Sequence, residues 1–219
     1  QIRCGKRRLD DGKTIIALSA LLPVALEKDY KIMYCCRTFT QNARVIEESK
    51  AILDKLRQSS PPAKEGDTAP VDPNIRRSFS AVSIRGRSEM CIHKTLKRLN
   101  LSPSEAMSAC GDLRKNKKCL YFTNLTRLRN ELDKLTDVLL EKPRDSAELI
   151  QFASNHKLCP YFLTKLLIVK ADIIACNYQW VLNPNIRENF LEGIAELSRI
   201  IVIFDECHNL PQVASDINS

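Results

Sequence analysis

No stretch of this 219-residue chain approaches the roughly 18 consecutive apolar residues that a bilayer crossing requires. The first thirteen residues, Gln1 to Lys13, are basic and polar and lack the apolar core of a secretion signal. The expectation is therefore a soluble intracellular chain, with no membrane partner and with length and 44% hydrophobic content for one large or two small domains. Two more absences matter. No internal repeat is visible, and no Cys-x-x-Cys pair occurs although the chain holds nine cysteines. In a reducing compartment those thiols are expected to serve metal or cluster binding rather than a disulfide framework.

What is present is most informative near the C-terminus. Ile201-Val202-Ile203-Phe204-Asp205-Glu206-Cys207-His208-Asn209 places an apolar run directly before an acidic pair and a histidine. A continuous apolar run is the form of a strand buried on both faces of a parallel sheet, and ligands of open α/β sheets bind at the carboxyl ends of such strands. Asp205 is expected to hold Mg²⁺ through its water shell, and Glu206 to orient and deprotonate an attacking water. A bland reading also exists, a buried strand that ends in a solvated Asp-Glu. Cys207 is expected to pack behind the site as a small residue.

Near the other end, Gly12-Lys13-Thr14 opens the apolar segment Ile15 to Leu22, which reads as a buried helix. This is the second half of a phosphate loop, in which the Lys reaches β/γ-phosphates, the Thr hydroxyl binds Mg²⁺ and the helix N-terminus supplies amides. The full loop wants Gly at position 7, where Arg7 stands, and Asp10 and Asp11 add anionic charge beside a polyphosphate site. Lys-Thr early and Asp-Glu at a later strand end together make the two-part arrangement of an Mg-nucleotide site.

Charge is concentrated in one segment. Between Ile75 and Asn130 there are thirteen Lys and Arg against three Asp and Glu, a net of +10 in a chain whose total is +8. Such a segment attracts a phosphate backbone without reading sequence, although a solvated basic face has the same composition. Arg85 and Arg87 are the first candidates for phosphate contacts, with Lys94, Lys97 and Arg98 behind them. Tyr121, Phe122, Tyr161 and Phe162 are candidates for base stacking, but packing in the interior is the stronger expectation for all four.

The layout is that of an α/β domain carrying an insertion. Lys31 to Cys36 reads as a strand and Ala43 to Leu56 as a helix; Pro61, Pro62, Pro70 and Pro73 mark 58–74 as a connector without regular structure. Phe79 to Ile84 reads as a strand. Leu125, Leu128, Leu132, Leu135 and Leu139 recur at helical spacing until Pro143 and predict one amphipathic packing helix. Ser146 is the expected N-cap of a helix through His156, Asp172 to Tyr178 returns to a buried strand, and Pro184 begins a helix before the final strand. The domain boundaries that follow are 1–74 for the first part of the α/β domain, 75–170 for the insertion and 171–219 for the remainder.

The cysteines divide by context. Cys35, Cys36 and Cys176 lie in apolar strand-like runs and read as small buried hydrophobes, while Cys4 has no assignment. Cys91, Cys110, Cys119 and Cys159 flank or lie within the basic segment, separated by 18, 8 and 39 residues. Four thiolates suit either an iron-sulfur cluster or a structural Zn²⁺, and the spacing leaves both open.

Five motifs in order carry a family resemblance: Arg37-Thr38 with Gln41; Arg85-Gly86-Arg87-Ser88-Glu89-Met90-Cys91-Ile92-His93; Leu158-Cys159-Pro160-Tyr161-Phe162; Ala175-Cys176-Asn177-Tyr178-Gln179-Trp180-Val181-Leu182-Asn183-Pro184; and Asp205-Glu206-Cys207-His208-Asn209. From about Gly12 onward the chain resembles the XPD-type superfamily 2 DNA helicases. That resemblance implies a RecA-like parallel sheet interrupted by a mainly helical iron-sulfur domain, with a [4Fe-4S] cluster on Cys91, Cys110, Cys119 and Cys159. It also implies ATP as substrate with Mg²⁺, held by Gly12, Lys13, Thr14, Asp205 and His208. Catalysis falls to Lys13, Asp205 and Glu206, and 5′ to 3′ movement separates the strands of single-stranded and forked DNA. A place in a repair or transcription complex follows, in the nucleus of a eukaryote or the cytoplasm of an archaeon or bacterium. The family's motif has Ala where Cys207 stands. The chain is expected to be a piece lacking the second motor domain and its arginines, and so to hydrolyse ATP poorly alone. Two other readings stay open. One is a non-catalytic DNA-binding cluster module with a degraded phosphate loop, favoured if Arg7 and Asp10 block nucleotide. The other is a zinc-stapled structural domain.

Overall fold

The computed structural model describes residues 6–58, 78–129, 131–191 and 193–218, with side chains from 12 to 217. Cys4 and nearly all of the 58–74 connector lie outside the described residues. Helix α1 (Lys6–Glu27) leads into strand β1 (Lys31–Cys36), helix α2 (Phe39–Gln58) and strand β2 (Ala81–Ser83). Seven helices follow: α3 (Arg87–Met90), α4 (Lys94–Arg98), α5 (Pro103–Lys115), α6 (Leu120–Arg127), α7 (Leu132–Leu140), α8 (Ser146–Asn155) and α9 (Pro160–Lys170). Strand β3 (Ile173–Asn177), helices α10 (Gln179–Leu182) and α11 (Pro184–Leu191), strand β4 (Ile200–Phe204) and helix α12 (Leu210–Asn218) complete the chain.

All strand pairings are parallel, in the order β2-β3-β1-β4. Side chains alternate across each strand, so one sequence run feeds two cores. Ile32, Tyr34 and Cys36 join Ile173 and Ala175 against Leu18, Leu22, Val45 and Ile46 of α1 and α2. Met33 and Cys35 join Val82, Ile174 and Cys176 on the other face, against Leu163, Leu167 and Ile168 of α9 and Leu149 of α8. Helices on both faces are what a parallel sheet of apolar strands requires. The edge strand β4 is only half covered, with Val202 38% exposed.

Three expectations shift. The leucine stripe is not one helix: Leu128 and Glu131 close a turn, with the Leu128 N–H donating to the Leu125 carbonyl at 3.3 Å and the Glu131 N–H to the Leu128 carbonyl at 2.7 Å. Leu125 and Leu139 are nonetheless buried and Leu128, Leu132 and Leu135 pack beside them, so the stripe does form a packing face, folded around a corner. The cap of α8 is Asp145, whose carboxylate accepts the Glu148 N–H at 2.7 Å while Glu148 accepts the Asp145 N–H at 2.9 Å. Ser146 is used elsewhere: its N–H donates to the Ser83 hydroxyl and its oxygen accepts from Arg85 Nε.

The insertion boundaries also move. Strand β2 lies inside 75–170 yet belongs to the central sheet. Arg144 bridges back to it, its N–H donating to the Ala81 carbonyl at 2.9 Å and its carbonyl accepting the Ser83 N–H at 3.2 Å. The excursion from the sheet thus spans 84–143, and α8 and α9 form the ordinary crossover from β2 to β3. That crossover is pinned at its end by Asp172, whose carboxylate accepts both the N–H and the hydroxyl of Ser80 at 2.7 Å.

Candidate nucleotide site and four-cysteine cavity

The parallel register brings the carboxyl ends of β1, β3 and β4 together, pairing Cys36 with Asn177 and Cys35 with Phe204. Asp205 continues the ladder by one bond, donating its N–H to the Cys35 carbonyl at 2.9 Å. Glu206 then turns into the left-handed region at φ 48° and ψ 48°. A non-glycine residue pays about 1–2 kcal/mol there, so the turn must be held from outside. Tyr178, just past β3, donates its hydroxyl to the Asp205 carbonyl and lies 3.3 Å from the Glu206 carbonyl. Asn209 also donates to the Glu206 carbonyl, from both its backbone N–H and its side chain at 3.0 Å.

The side chains of the acidic pair face ionisable partners. Lys13 Nζ stands 3.4 Å from Glu206 Oε1, and His208 Nδ1 stands 3.2 Å from Glu206 Oε2. Burial pushes the Asp205 carboxyl above its ordinary range, and the Glu206 charge adds to this, while Lys13 and Arg44 act against it. Burial, followed by the Asp205 charge, also holds the Tyr178 phenol up at about 12, so it remains a donor. After β1, Gln41 Oε1 accepts from the Thr38 N–H at 2.9 Å and Thr38 Oγ1 accepts from the Gln41 N–H at 3.3 Å, a reciprocal cap that starts α2. Arg37 donates to Asn209 Oδ1 at 3.0 Å, tying this turn to the acidic one.

The Gly12-Lys13-Thr14 segment departs from expectation. It lies in the middle of α1, which already runs from Lys6, so its amides are not a free helix N-terminus. The cause is composition: no glycine occurs between Lys6 and Asp11, and Arg7, Arg8 and Leu9 favour helix. A Cβ on Gly12 would meet only Ile16 Cδ1 at 3.8 Å, so nothing in this conformation demands glycine. Thr14 is 5% exposed, and its Oγ1 accepts from the Tyr34 hydroxyl at 3.4 Å instead of facing an open ion site. Cys207, expected behind the site, is exposed.

A second centre lies in the excursion. Cys91 caps the end of α3, Cys110 sits in α5, and Cys119 and Cys159 are the N-caps of α6 and α9. The four line one cavity together with Arg87, His93, Arg114, Tyr121, Phe122 and Tyr161. Burial pushes the Cys159 thiol up to about 12, with the other three sulfurs adding to the shift, and burial raises Cys91 likewise. Backbone N–H groups of Phe162 and His93 act in the other direction. All four are free thiols, and among the described residues no three His, Cys, Asp or Glu side chains converge as ligands of one metal ion. Phe122 and Phe162 meet edge to face at 4.8 Å and Tyr161 and Phe162 at 5.2 Å, so these aromatics pack around the cavity.

The basic candidates separate. Lys94, Lys97 and Arg98 are exposed on α4. Arg85 instead donates to Ser146 at 2.6 Å and stacks on Phe39 at 4.9 Å, and Arg87 stacks on Tyr161 at 5.0 Å. Sequence reasoning missed Tyr178 as the holder of the acidic turn and did not single out Arg114 within the basic segment. The Tyr in Asn177-Tyr178 directly after an apolar strand was the available signal for the first; nothing local marks the second.

Comparison with known proteins adds the following. The profile of the family named DEAD_2 matches residues 34–219. The chain is 27% identical over 220 residues to the ATP-dependent DNA helicase chl1 of Neurospora crassa, a match covering 98% of this chain and 18% of that protein. It is 26% identical over 211 residues to the general transcription and DNA repair factor IIH helicase subunit XPD of Dictyostelium discoideum, covering 92% of this chain and 24% of that one. A solved structure titled XPD helicase aligns over 93% of this chain and 28% of its own, with a TM-score of 0.47 and 18% identity. The chain thus spans about a quarter or less of the length of these relatives.

Proposed function

As this chain belongs to the DEAD_2 family of XPD-type superfamily 2 DNA helicases, we propose that it is part of the first motor lobe of an ATP-dependent helicase that moves 5′ to 3′ and separates DNA strands in repair. The observation that carries this reading is the approach of Lys13 to Glu206 at the carboxyl ends of the parallel strands, which joins two motifs 193 residues apart. In it Lys13 neutralises β/γ-phosphate charge. Glu206, oriented by Lys13 and His208, takes the proton of the attacking water. Asp205 would hold Mg²⁺ through its water shell, and the ion would supply positive charge against the phosphates. Work within a multisubunit complex, and a nuclear place in a eukaryotic cell, belong to the same proposal.

Cys91, Cys110, Cys119 and Cys159 would hold a [4Fe-4S] cluster. Four thiols lining one cavity supply the number and type of ligand that such a cluster takes, and membership of the XPD-type family favours it over a structural zinc, which four thiolates would also hold. The cluster would supply the cross-link that joins short helices into a wedge beside the sheet.

One observation favours a second reading, a DNA-binding module without turnover: the helical path of α1 from Lys6 through Gly12 leaves no phosphate cradle among the described residues. Titration of the chain with a fluorescent ATP analogue in Mg²⁺ decides between them. The motor reading expects binding that Lys13→Ala weakens about 10- to 100-fold, the worth of a charge-assisted contact. Binding absent in the parent, or indifferent to Lys13→Ala, favours the module.

The DNA contacts follow exposure. Affinity for single strands is expected to fall linearly in log-log terms as salt rises, and Lys94→Ala, Lys97→Ala and Arg98→Ala together to lower the slope by about 2 units. Arg85→Ala is expected to leave the slope unchanged, because its guanidinium is engaged by Ser146 and Phe39. The opposite pattern would return the phosphate contact to Arg85.

A further inference from the structure

Five buried side-chain nitrogen or oxygen atoms among the described residues have no hydrogen-bond partner, and three of them, Arg87 Nε, His93 Nδ1 and Arg114 Nε, belong to residues that line the four-cysteine cavity. Leaving a buried donor unsatisfied costs about 1–3 kcal/mol, and more for a charged group. The two arginine nitrogens are donors, and His93 Nδ1 donates in the tautomer that carries its proton there, so together they call for acceptors that the cavity is built to receive. Arg114 is also held in place: its guanidinium carbon lies 4.6 Å from the Phe162 ring centre and 5.2 Å from that of Phe122. Its neighbours Lys115, Lys117 and Lys118 are exposed, whereas Arg114 is not.

We propose that Arg114 and His93 are positioning residues for the iron-sulfur cluster, donating hydrogen bonds to its sulfur atoms and compensating its negative charge, and that Arg114 is not part of the DNA-contacting surface. This rests on the cluster reading given above. A cluster held by four thiolates is a net anion that becomes more negative on reduction, so a fixed cation and sulfur-directed donors favour the reduced form and raise the potential. The paired aromatics hold the guanidinium in place before any cluster binds, so little order is lost when it does.

The test is an anaerobic titration of the whole chain with dithionite and redox mediators, one electron passing to the cluster, followed by visible absorbance and electron paramagnetic resonance. Arg114→Gln is expected to keep its iron and to lower the midpoint by a tenfold shift in the reduction equilibrium, about 59 mV for one electron. Arg114→Lys, which keeps the charge, is expected to shift it by less than half as much. His93→Phe, which keeps the ring beside Tyr121, is expected to lower it in the same direction. A parent chain that binds zinc and no iron refutes the cluster reading itself. A parent with iron whose midpoint is unchanged in Arg114→Gln overturns the inference alone, and assigns the orphaned nitrogens to water. If Arg114→Gln takes up no iron, His93→Phe decides: a lowered midpoint supports the proposal and an unchanged one overturns it.

Discussion

Serine in place of Cys159 is expected to strip the anaerobically purified chain of about four irons and of its brown colour, and to unfold the excursion between β2 and Arg144. Of the four proposed ligands, Cys159 is the best placed for this effect. It caps α9, the helix that packs on the sheet, so it is the point at which the cluster would tie the excursion to the motor core. The helices it would tie are short: α3 has 4 residues, α4 has 5 and α6 has 8. Helices of that length do not persist in water without tertiary support. Ligation of a structural metal contributes on the order of 10 kcal/mol of folding free energy, enough to decide whether such a unit folds. Iron analysis, absorbance and proteolysis restricted to 84–143 measure the result. Stoichiometric zinc without iron in the parent would turn the centre into a structural zinc site. Retained iron and an intact excursion in Cys159→Ser would remove this residue from the ligand set.

The second large effect concerns the acidic strand end. In a chain extended by a second motor domain and given a glycine-containing phosphate loop in place of residues 5–11, Glu206→Gln is expected to bind Mg-ATP normally and to lose about 10²- to 10⁴-fold in turnover, the usual contribution of a general base. The amide still accepts from Lys13 and orients water but takes no proton. Lys13→Ala is expected to fail earlier, at nucleotide binding. Both variants are expected to bind single-stranded DNA like the parent, since the exposed lysines of α4 lie elsewhere in the chain. Hydrolysis by Glu206→Gln at the parent rate would sink the role given to this carboxylate. The loop is exchanged so that turnover is read at saturating nucleotide, since α1 runs unbroken through Gly12 and Thr14 is bonded to Tyr34 where an Mg²⁺ ligand is wanted.

Much of this architecture was legible because its causes are local. Each apolar run of β1, β3 and β4 is short, rich in β-branched, aromatic or small residues, and followed at once by polar residues, so strand and strand end could be read together. Asp205 and Glu206 follow the last apolar residue of β4, and a carboxylate in that position sits at the ligand edge of any parallel sheet. The capping box of α8 was also written locally, in Asp145 and Glu148, and was overlooked in favour of Ser146 only because Ser146 too is a competent cap. Family membership was legible for another reason: five motifs in one order are far more specific than any one of them.

Other features needed the folded chain. The leucine stripe kept its spacing across Leu128 to Glu131 although the backbone turns there, because periodicity records which side chains reach the core and not whether the helix between them is continuous. The basic segment looked uniform in sequence, but aromatic side chains contributed by distant positions draw Arg85, Arg87 and Arg114 inward while Lys94 and Lys97 remain in water. Tyr178 holds a turn 27 residues away, and Lys13 meets a carboxylate 193 residues away. Sequence by itself determined the strands, their order of polarity and the chemistry available at their ends, since these depend on side-chain type and nearest neighbours. Tertiary structure alone decided which cations face solvent, which cysteines share a cavity and which buried nitrogens find no partner in the protein, since each of these is a distance between residues that the chain keeps far apart.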